Sequence, residues 1–349
     1  RRVDAEQPPY RYPPPGRGIA RGAVNLRLAD VEPAPDVFAA VMATGIVSIA
    51  AHLQHYRWIS DTLGVLATAG LLVLVMLVAV YAVLGRIRWD LTDPDVTLRL
   101  FTFVAACAVL DSRLAAQPVV VATLGGVALS AWLALTALTV RNMCVHRGPV
   151  LRARAHGAWE LASVGTSGLA IVATQVARHT PRHWPLAFAV PVWVAALCIY
   201  ALMTWLILWR AVTELHQHNG FEPDSWILMG GLAIATLAGE SIHNLASGWL
   251  APTLRLATVV TWVAASLWIP VLIYFGVRRT DQRMLRFAGV WWAMVFPLGM
   301  YSAATDAMAA ELGQRSLGTV SLVFFWIAFS AWVVVAGAGL LRLVSKPAA

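Results

Sequence analysis

Charged residues are scarce in this 349-residue sequence, and lysine occurs only once. Asp, Glu, Lys and Arg together make up 13% of the chain, whereas hydrophobic residues make up 59%. A soluble protein could not bury so much apolar surface, because its surface area grows too quickly relative to its volume. A bilayer removes the difficulty by acting as an apolar solvent. The composition therefore excludes a soluble domain and predicts an integral membrane protein.

Cysteine is also rare, and motifs for nucleotide or metal chemistry are missing. The three cysteines, Cys107, Cys144 and Cys198, match neither a disulfide framework nor a metal site in their spacing. Histidine pairs such as His52 and His55 lie at segment ends, whereas a metal site needs three or four converging ligands, so none is predicted. The sequence contains no Walker-type loop, dinucleotide fingerprint or nucleophile elbow. ATP-driven transport is therefore disfavoured, and no cofactor is predicted.

Ten apolar runs follow one another along the chain. Backbone groups in lipid must hydrogen-bond within their own segment, so each run is interpreted as a membrane-spanning helix. The fold class predicted is all-α integral membrane. A polar arm rich in Pro and Arg (1–35) is predicted to be disordered and cytoplasmic, and residues 344–349 form a cytoplasmic tail. The predicted spans within the 36–343 transport domain are 36–54, 61–84, 98–115, 118–140, 157–177, 185–209, 225–246, 253–276, 286–309 and 317–343.

Basic residues are unevenly divided between the two sides of this map. With the N-terminus inside, the cytoplasmic segments hold twenty of the 26 Lys and Arg residues, and the outside segments hold six. The positive-inside rule favours this orientation. In a soluble protein the formal charge of +8 would suggest nucleic acid. Here topology explains the charge, so we predict no nucleic-acid partner and a multi-pass protein of the plasma (inner) membrane with both termini cytoplasmic.

The odd-numbered spans begin at similar intervals, which suggests five two-helix units. Four of these spans carry helix-weakening residues near mid-membrane, namely Gly45, Gly165, Gly239, and Pro297 with Gly299. Helix breaks at that depth are tolerated where they face protein or a water-filled cavity. Small residues there can equally be tight packing contacts between helices. The composition leaves both interpretations, pore lining and packing, open.

Two strings in the first and ninth spans combine hydroxyl groups with bare backbone. The first span contains Met-Ala-Thr-Gly-Ile-Val-Ser at 42–48, and the ninth contains Trp-Trp-Ala-Met-Val-Phe-Pro-Leu-Gly at 291–299. Hydroxyls such as those of Thr44 and Ser48 can solvate an anion lightly enough to let it leave again, as conduction requires. Pro297 removes one backbone hydrogen bond and can bend the ninth helix.

These strings resemble those of the tellurite-resistance/dicarboxylate transporter family, which includes slow anion channels, and they are most similar to its malate permease and sulfite efflux branch. The segment 159–171, with Gly165 and Thr166, is similar to the family's fifth helix, and the resemblance covers about residues 36–343. It implies ten helices in five hairpins, with the odd helices around a central pore. It also implies a homotrimer with one pore per subunit, and a pore plugged by Phe296.

Ionisable residues inside the predicted spans are functional candidates, because a charge at membrane depth is costly. Glu240 and His243 are three residues apart and share a helix face, where a carboxylate beside an imidazole could carry a proton. Alternatively, both belong to a polar network near the outer surface. Glu160 opens the fifth span, and it either lies at the cytoplasmic mouth or pairs with Arg152 or Arg154; the sequence does not separate these.

The sequence thus predicts a pore for small anions, with C4-dicarboxylates such as malate, or sulfite, as the favoured cargo. Such a pore would work as a gated channel or as a proton-coupled carrier. Efflux of another anion, such as tellurite, nitrate or chloride, is an alternative. A membrane-embedded enzyme using Glu240 and His243 is a second class, which would require these residues to converge with other catalytic groups in a cavity.

Overall fold

A computed structural model describes residues 33–146, 148–180, 184–213, 223–248, 250–278 and 291–345. Within these ranges the chain is almost entirely helical and contains no β-strand. The predicted arm at 1–35 lies almost wholly outside the described residues, and so does most of the predicted tail at 344–349. Both segments therefore stay predictions.

Twelve α-helices succeed one another in the described residues. Short 3₁₀ turns at Gly157–Glu160 and Pro223–Trp226 lead into the seventh and ninth of them. The helices are α1 (Ala39–Leu53), α2 (Arg57–Val83), α3 (Pro94–Arg99), α4 (Phe101–Arg113), α5 (Pro118–Val145), α6 (Gly148–Arg154), α7 (Leu161–His179), α8 (Trp184–Thr213), α9 (Ile227–His243), α10 (Leu250–Arg278), α11 (Trp292–Leu312) and α12 (Arg315–Ser345).

The start of the third predicted span is occupied by α3, a short helix with a defined cap. Asp93 is its N-cap, and the Asp93 carboxylate accepts a hydrogen bond of 3.0 Å from the backbone N–H of Asp95. Pro94 occupies the first helical position, where its missing N–H costs nothing. These signals turn the chain before Leu100, after which α4 runs into the protein interior.

Six helices in the described part of the chain are long and apolar enough to cross a membrane: α2, α5, α8, α9 with its preceding turn, α10 and α12. The apolar helix α1 is shorter, and α4 has only 13 residues. The prediction of an all-α, multi-pass membrane protein is thereby confirmed. The count of ten spans stays a prediction, since length and apolarity identify six.

Five helices, α1, α4, α7, α9 and α11, form the buried centre of the molecule. They pack as a closed ring, in which each contacts the next and α11 contacts α1. Each also packs against the longer helix that follows it, so that α2, α5, α8, α10 and α12 lie outside the ring. Large apolar side chains on these outer helices are exposed, such as Leu72 on α2 and Leu267 on α10. Outward-facing apolar residues are expected where the solvent is lipid.

Indole hydrogen bonds connect four of the outer helices to the inner helix of the next hairpin. In each, a tryptophan Nε1–H donates to an oxygen on the neighbouring inner helix, which satisfies the one polar group of the indole. The pairs are Trp132 to Thr166 Oγ1 (2.9 Å), Trp193 to the carbonyl of Ala235 (2.8 Å), Trp262 to Thr305 Oγ1 (3.2 Å) and Trp332 to Thr44 Oγ1 (2.9 Å). The last pair joins the end of the chain to its beginning.

Candidate functional site

A cavity of about 410 Å³ lies inside the inner ring, and all five inner helices contribute residues to its wall, mainly from their middle and C-terminal turns. We call this end of the molecule the C-terminal face. The wall is mainly aliphatic, with Ile46 and Met300 among the residues of α1 and α11. The polar side chains in it are Ser112, Gln175, Arg178, Glu240, Ser241 and Asp306.

A second cavity, of about 40 Å³, lies at the opposite end, which we call the N-terminal face. Residues at or just before the N-terminal ends of the same five helices line it, including Met42 of α1, Leu161 of α7 and Ala293 of α11. Because the same ring encloses both cavities, they lie along one central axis. Asp36, Arg99 and Asp224 provide the charged groups of this smaller cavity.

Phe296 lies between the two cavities. Along α11, Ala293 lines the smaller cavity and Met300 lines the larger one. Phe296 follows the first by three residues and precedes the second by four, so all three share one helix face. The Phe296 side chain is 0% exposed. Phe296 is therefore a buried residue at the level of α11 between the two cavities, which makes it the candidate for a constriction there.

The residues that flank Phe296 hold α11 close to both of its ring neighbours. A Cβ atom on Gly230 of α9 would lie 2.9 Å from Cγ of Pro297, closer than real Cβ contacts come. On the other side, a Cβ atom on Gly299 would lie 3.1 Å from Cγ2 of Ile46 on α1. Gly230 was missed in the sequence, although the Gly-Gly pair at 230–231 was a usable signal for close helix approach.

The helix-weakening residues singled out in the sequence do not interrupt the inner helices. The described helices α1, α7, α9 and α11 continue without interruption through Gly45, Gly165, Gly239, and Pro297 with Gly299. The first three glycines instead allow close packing: added Cβ atoms would lie 2.7 Å from Cγ1 of Val109, 3.0 Å from Cδ1 of Phe101 and 2.8 Å from Cζ2 of Trp193, respectively. Gly239 thus faces the outer helices α8 and α10, where Trp193 and Thr258 lie against it.

The predicted hydroxyl residues also face neighbouring helices. Thr44 and Thr166 accept the indole hydrogen bonds described above and donate to carbonyls of their own helices. Ser48 Oγ donates to the carbonyl of Ser60 (2.7 Å) and accepts from Nε of Arg113 (3.0 Å). Within the described chain, the wall of the larger cavity includes none of the predicted pore-lining residues, so their contact with a permeating anion stays a prediction. They are Thr44, Gly45, Ser48, Gly165, Thr166, Gly239, Pro297 and Gly299.

Glu240 and His243 both lie near the C-terminal face but have different partners. Glu240 borders the larger cavity and accepts a 2.5 Å hydrogen bond from Nδ2 of Asn244. His243 Nε2 is 3.5 Å from Oε1 of Glu311, and its Nδ1 is 3.0 Å from the carbonyl oxygen of Ala251. The proton relay and the polar network therefore both stay open, with Glu240 alone in contact with the cavity.

Glu160 is buried, and its partners in the structure disfavour one of the two alternatives left open by the sequence, the pairing with Arg152 or Arg154. The hydroxyl of Thr204 on α8 donates to Oε1 of Glu160 (2.6 Å), whereas Oε2 has no hydrogen-bond partner among the described residues. Arg154 instead lies 3.4 Å from Asp93, and the Arg152 guanidinium lies over tryptophan rings of α8. The Glu160 side chain therefore contacts α8 through Thr204.

A chain of ionisable side chains crosses the N-terminal face and connects four hairpins. Asp36 precedes α1, Asp95 and Arg99 lie on α3, His156 precedes α7, and Asp224 precedes α9. The successive separations are 3.4 Å (Asp36 to Arg99), 3.0 Å (Arg99 to Asp95), 2.5 Å (Asp95 to His156 Nε2) and 2.7 Å (His156 Nδ1 to Asp224). We call these five residues the mouth network, because three of them line the smaller cavity.

The loop geometry before α7 brings His156 and Asp224 together. Gly157 packs against the backbone of the 3₁₀ turn at Pro223–Trp226, where an added Cβ atom would lie 2.6 Å from the nitrogen of Ser225 and closer still to the Asp224 carbonyl group. Only glycine fits there. This approach lets Asp224 accept a 3.0 Å hydrogen bond from the backbone N–H of Ala158, in addition to that from His156.

The mouth network keeps the His156 imidazole protonated. Burial alone would lower the pKa of His156, but its hydrogen bonds to Asp224 and Asp95, together with their charges, outweigh burial and raise the pKa to about 9. Burial would likewise raise the pKa of Asp95, yet the hydrogen bond and charge of His156 and the charge of Arg99 lower it. At neutral pH the network is therefore an alternation of carboxylates and cations.

The free energy of unfolding should fall as the pH rises from 6.5 to about 9, the range set by His156 of the mouth network. The folded pKa of His156, about 9, exceeds its ordinary value of 6.5, so the stabilisation is complete below pH 6.5 and is lost as pH rises to about 9, with an upper limit on the order of 3 kcal/mol. Thermal unfolding of the purified protein across this window measures the effect. His156→Gln should be less stable than the wild type at pH 6.5 and should change less with pH. An equally steep loss in both proteins would contradict this assignment.

Sequence comparison finds relatives of this chain among uncharacterized transporters and membrane proteins. An uncharacterized transporter of Methanocaldococcus jannaschii is 22% identical over 50% of this chain and 53% of its own length, so the chain spans about half of that relative. Another uncharacterized transporter of that organism is 21% identical over 86% of this chain and 90% of its own length. An uncharacterized membrane protein of Mycobacterium tuberculosis is 28% identical over 39% of this chain and 72% of its own length.

A family model connects these observations. The model described as voltage-dependent anion channel matches residues 33–340, which include all five inner helices and the two cavities that they enclose. The match confirms the resemblance noted in the first, fifth and ninth spans at the level of the family. The chain therefore belongs to the voltage-dependent anion channel family, and it is a multi-pass membrane protein with the buried helical ring described above.

Proposed function

We propose that this chain conducts small anions through the centre of its inner ring and that Phe296 closes the path. Family membership and the transporter relatives support membrane transport of anions. The observation that carries the gate is the position of the Phe296 side chain, which is fully buried between two cavities enclosed by the same five helices. A bulky apolar constriction of this kind stops ions by excluding water.

The cargo that we propose is a C4-dicarboxylate such as malate, or sulfite, with tellurite, nitrate or chloride as alternatives. The motif strings at 42–48 and 291–299 favour the malate and sulfite branch. The larger cavity, about 410 Å³, has room for such an anion. Its wall combines one cation, Arg178, with the carboxyl groups of Glu240 and Asp306. Such a mixed surface holds an anion weakly, which is the compromise that conduction needs.

We further propose that the N-terminal face is cytoplasmic, that both termini lie on that side of the plasma (inner) membrane, and that the protein is a homotrimer. The orientation is supported by the twenty basic residues assigned to the inside segments. The N-terminal ends of the five inner helices also carry partial positive charge, which is directed towards the smaller cavity. The trimer is proposed from the sequence resemblance alone.

An enzyme has less support than a pore. Glu240 borders the larger cavity, but His243 is occupied by Glu311 and by the carbonyl of Ala251. A catalytic pair would need both side chains directed at one substrate. A transport role for Glu240 requires only that its carboxyl group face the permeation path and exchange a proton there.

Anion flux into proteoliposomes tests the proposed function. We expect a gradient of labelled malate or sulfite, with the higher concentration outside the proteoliposomes, to drive uptake that empty liposomes lack. If the chain is a proton-coupled carrier, an inward proton gradient should accelerate uptake. Glu240→Gln should abolish that acceleration while leaving the gradient-driven uptake, because Glu240, unlike His243, borders the larger cavity. Absence of uptake for malate, sulfite, tellurite, nitrate and chloride would overturn the proposal.

The matched control for Glu240 is Glu311→Gln. Glu311 is a second partly buried carboxyl group at the same face, where it pairs with Arg255 at 2.6 Å and with His243, and it lies outside the wall of the larger cavity. This variant should keep the acceleration by a proton gradient. If the acceleration survives in both Glu240→Gln and His243→Ala, the two residues are structural.

A further inference from the structure

A basic helix and two tryptophans form an outward-facing surface near the N-terminal face. The short helix α6 packs against the last turns of α8. The guanidinium carbon of Arg152 on α6 lies 5.0 Å from the ring centre of Trp205 and 4.7 Å from that of Trp209. The two indole rings are one helical turn apart, with their centres separated by 5.7 Å. A guanidinium within this distance of two ring faces makes a double cation–π contact.

This surface lies on the lipid-facing side of the bundle. Trp205 and Trp209 are 46% and 45% exposed although they belong to an apolar outer helix, and α8 ends soon after them at Thr213. Tryptophans at the end of a membrane-spanning helix occupy the headgroup level of the bilayer. Leu151 of α6 packs against the core, which fixes the short helix against the bundle. Arg152 is therefore held at the depth where phospholipid phosphates lie.

Arg152 differs from the basic residues around it in lacking an anionic partner within the part of the chain that the structure describes. Arg154, two residues further on, is paired with Asp93 at 3.4 Å, and Arg99 is paired with Asp95 at 3.0 Å. Stacking on the indoles uses the flat faces of the guanidinium. Its N–H donors point outwards in the plane of the group, in the fork that matches a phosphate.

We propose that Arg152, Trp205 and Trp209 form a binding site for the headgroup of an anionic phospholipid. The phosphate would accept hydrogen bonds from Arg152, and the indole rings would hold the guanidinium in place. The acyl chains would run along the exposed apolar residues Leu202 and Val194, which precede the tryptophans on α8 and are each 48% exposed. Basic pockets beside membrane helices attract anionic headgroups in this way. The site is independent of the transported anion.

Lipid retention by the purified protein tests this site. We expect native mass spectrometry to show more phosphatidylglycerol than phosphatidylcholine retained by the wild type from an equal mixture of the two. Arg152→Ala should lower phosphatidylglycerol retention roughly fivefold, the factor that one basic residue contributes at an anionic surface. Arg152→Lys, which keeps the charge but not the planar fork, should retain an intermediate amount. Arg154→Ala is the matched control, and it should retain the wild-type amount.

Three other outcomes would overturn the proposed lipid site, and a second variant provides an independent test of it. Wild-type retention by a folded Arg152→Ala protein would overturn the site. Trp209→Phe provides a second variant that keeps an aromatic ring and the helix, so a fall in retention there supports the site even if Arg152→Ala folds poorly. Displacement of the lipid by millimolar inorganic phosphate would show an ion site and overturn the lipid assignment. A change in oligomeric state without a change in lipid retention would show a contact between copies of the chain, and would also overturn it.

Discussion

Phe296→Ala should raise the anion conductance of the reconstituted protein several-fold. In our proposal the Phe296 ring separates a cavity of about 410 Å³ from one of about 40 Å³. Removing the ring would join the two, and water entering the joined space would remove the apolar barrier to ions. Planar bilayer recordings of the purified protein, with malate, sulfite and chloride as the test anions, measure the change.

A matched control separates an opened pore from a loosened protein. Phe325 on α12 is also 0% exposed, but it packs between Tyr56 and Phe329, with ring centres 5.4 Å and 6.0 Å away, and lies off the axis. Loss of a buried Phe side chain costs about 3–5 kcal/mol of stability. Phe325→Ala should show that loss without a gain in conductance. If Phe296→Ala folds and conducts like the wild type, Phe296 is a packing residue and the gate is rejected.

Gly157→Ala should prevent recovery of folded protein. The new methyl group would overlap backbone atoms of Asp224 and Ser225, the nearest of these closer than 2.6 Å, and backbone atoms cannot rotate out of the way. Overpacking a tight site costs about 1–3 kcal/mol, and occasionally more. Here the loop would also move away from Asp224, which breaks the hydrogen bonds from His156 and Ala158. Size-exclusion profiles and thermal unfolding of the detergent-purified protein measure the loss.

Gly126→Ala is the control for Gly157→Ala. Gly126 lies in the interior of α5, is exposed, and an added Cβ atom there would have no neighbour within 4 Å. Alanine is favoured over glycine inside a helix by roughly 0.5–1 kcal/mol, so this variant should be at least as stable as the wild type. Normal folding of Gly157→Ala would mean that the loop before α7 does not need its close contact with the turn before α9.

The apolar runs, their spacing and the family resemblance carried by the motif strings were enough to predict the helical class and the pairing of each inner helix with the outer helix that follows it. They were not enough to say which way Thr44, Thr166 and Gly239 face. In a soluble helix, polar residues mark the outer side. In the inner ring every face is buried against another helix, so apolar periodicity loses its direction, and these residues face outer helices.

The mouth network could not be predicted for a different reason. His156 is 61 residues from Asp95 and 68 residues from Asp224 along the chain. Each residue alone resembled an ordinary helix-start residue, as the cap formed by Asp93 shows. Their pairing depends on how the ring brings helix starts together at one face. Only Gly157, a buried glycine just before an apolar run, gave a local sign that two backbones approach there.

The hydrogen bond between Trp332 and Thr44 joins residues that are 288 positions apart. It connects the last hairpin to the first, so the hairpins form a closed ring. An open row of hairpins could widen if its last hairpin moved outwards, which would break only one of the contacts between neighbouring hairpins (the seams). In a closed ring, displacing any hairpin strains the seams on both sides of it, so the ring of hairpins resists widening. Rotation of a single aromatic side chain leaves every seam intact. If Phe296 is the gate, as we propose, turning its ring should open the path with all of these contacts in place, whereas widening the ring of helices would strain them.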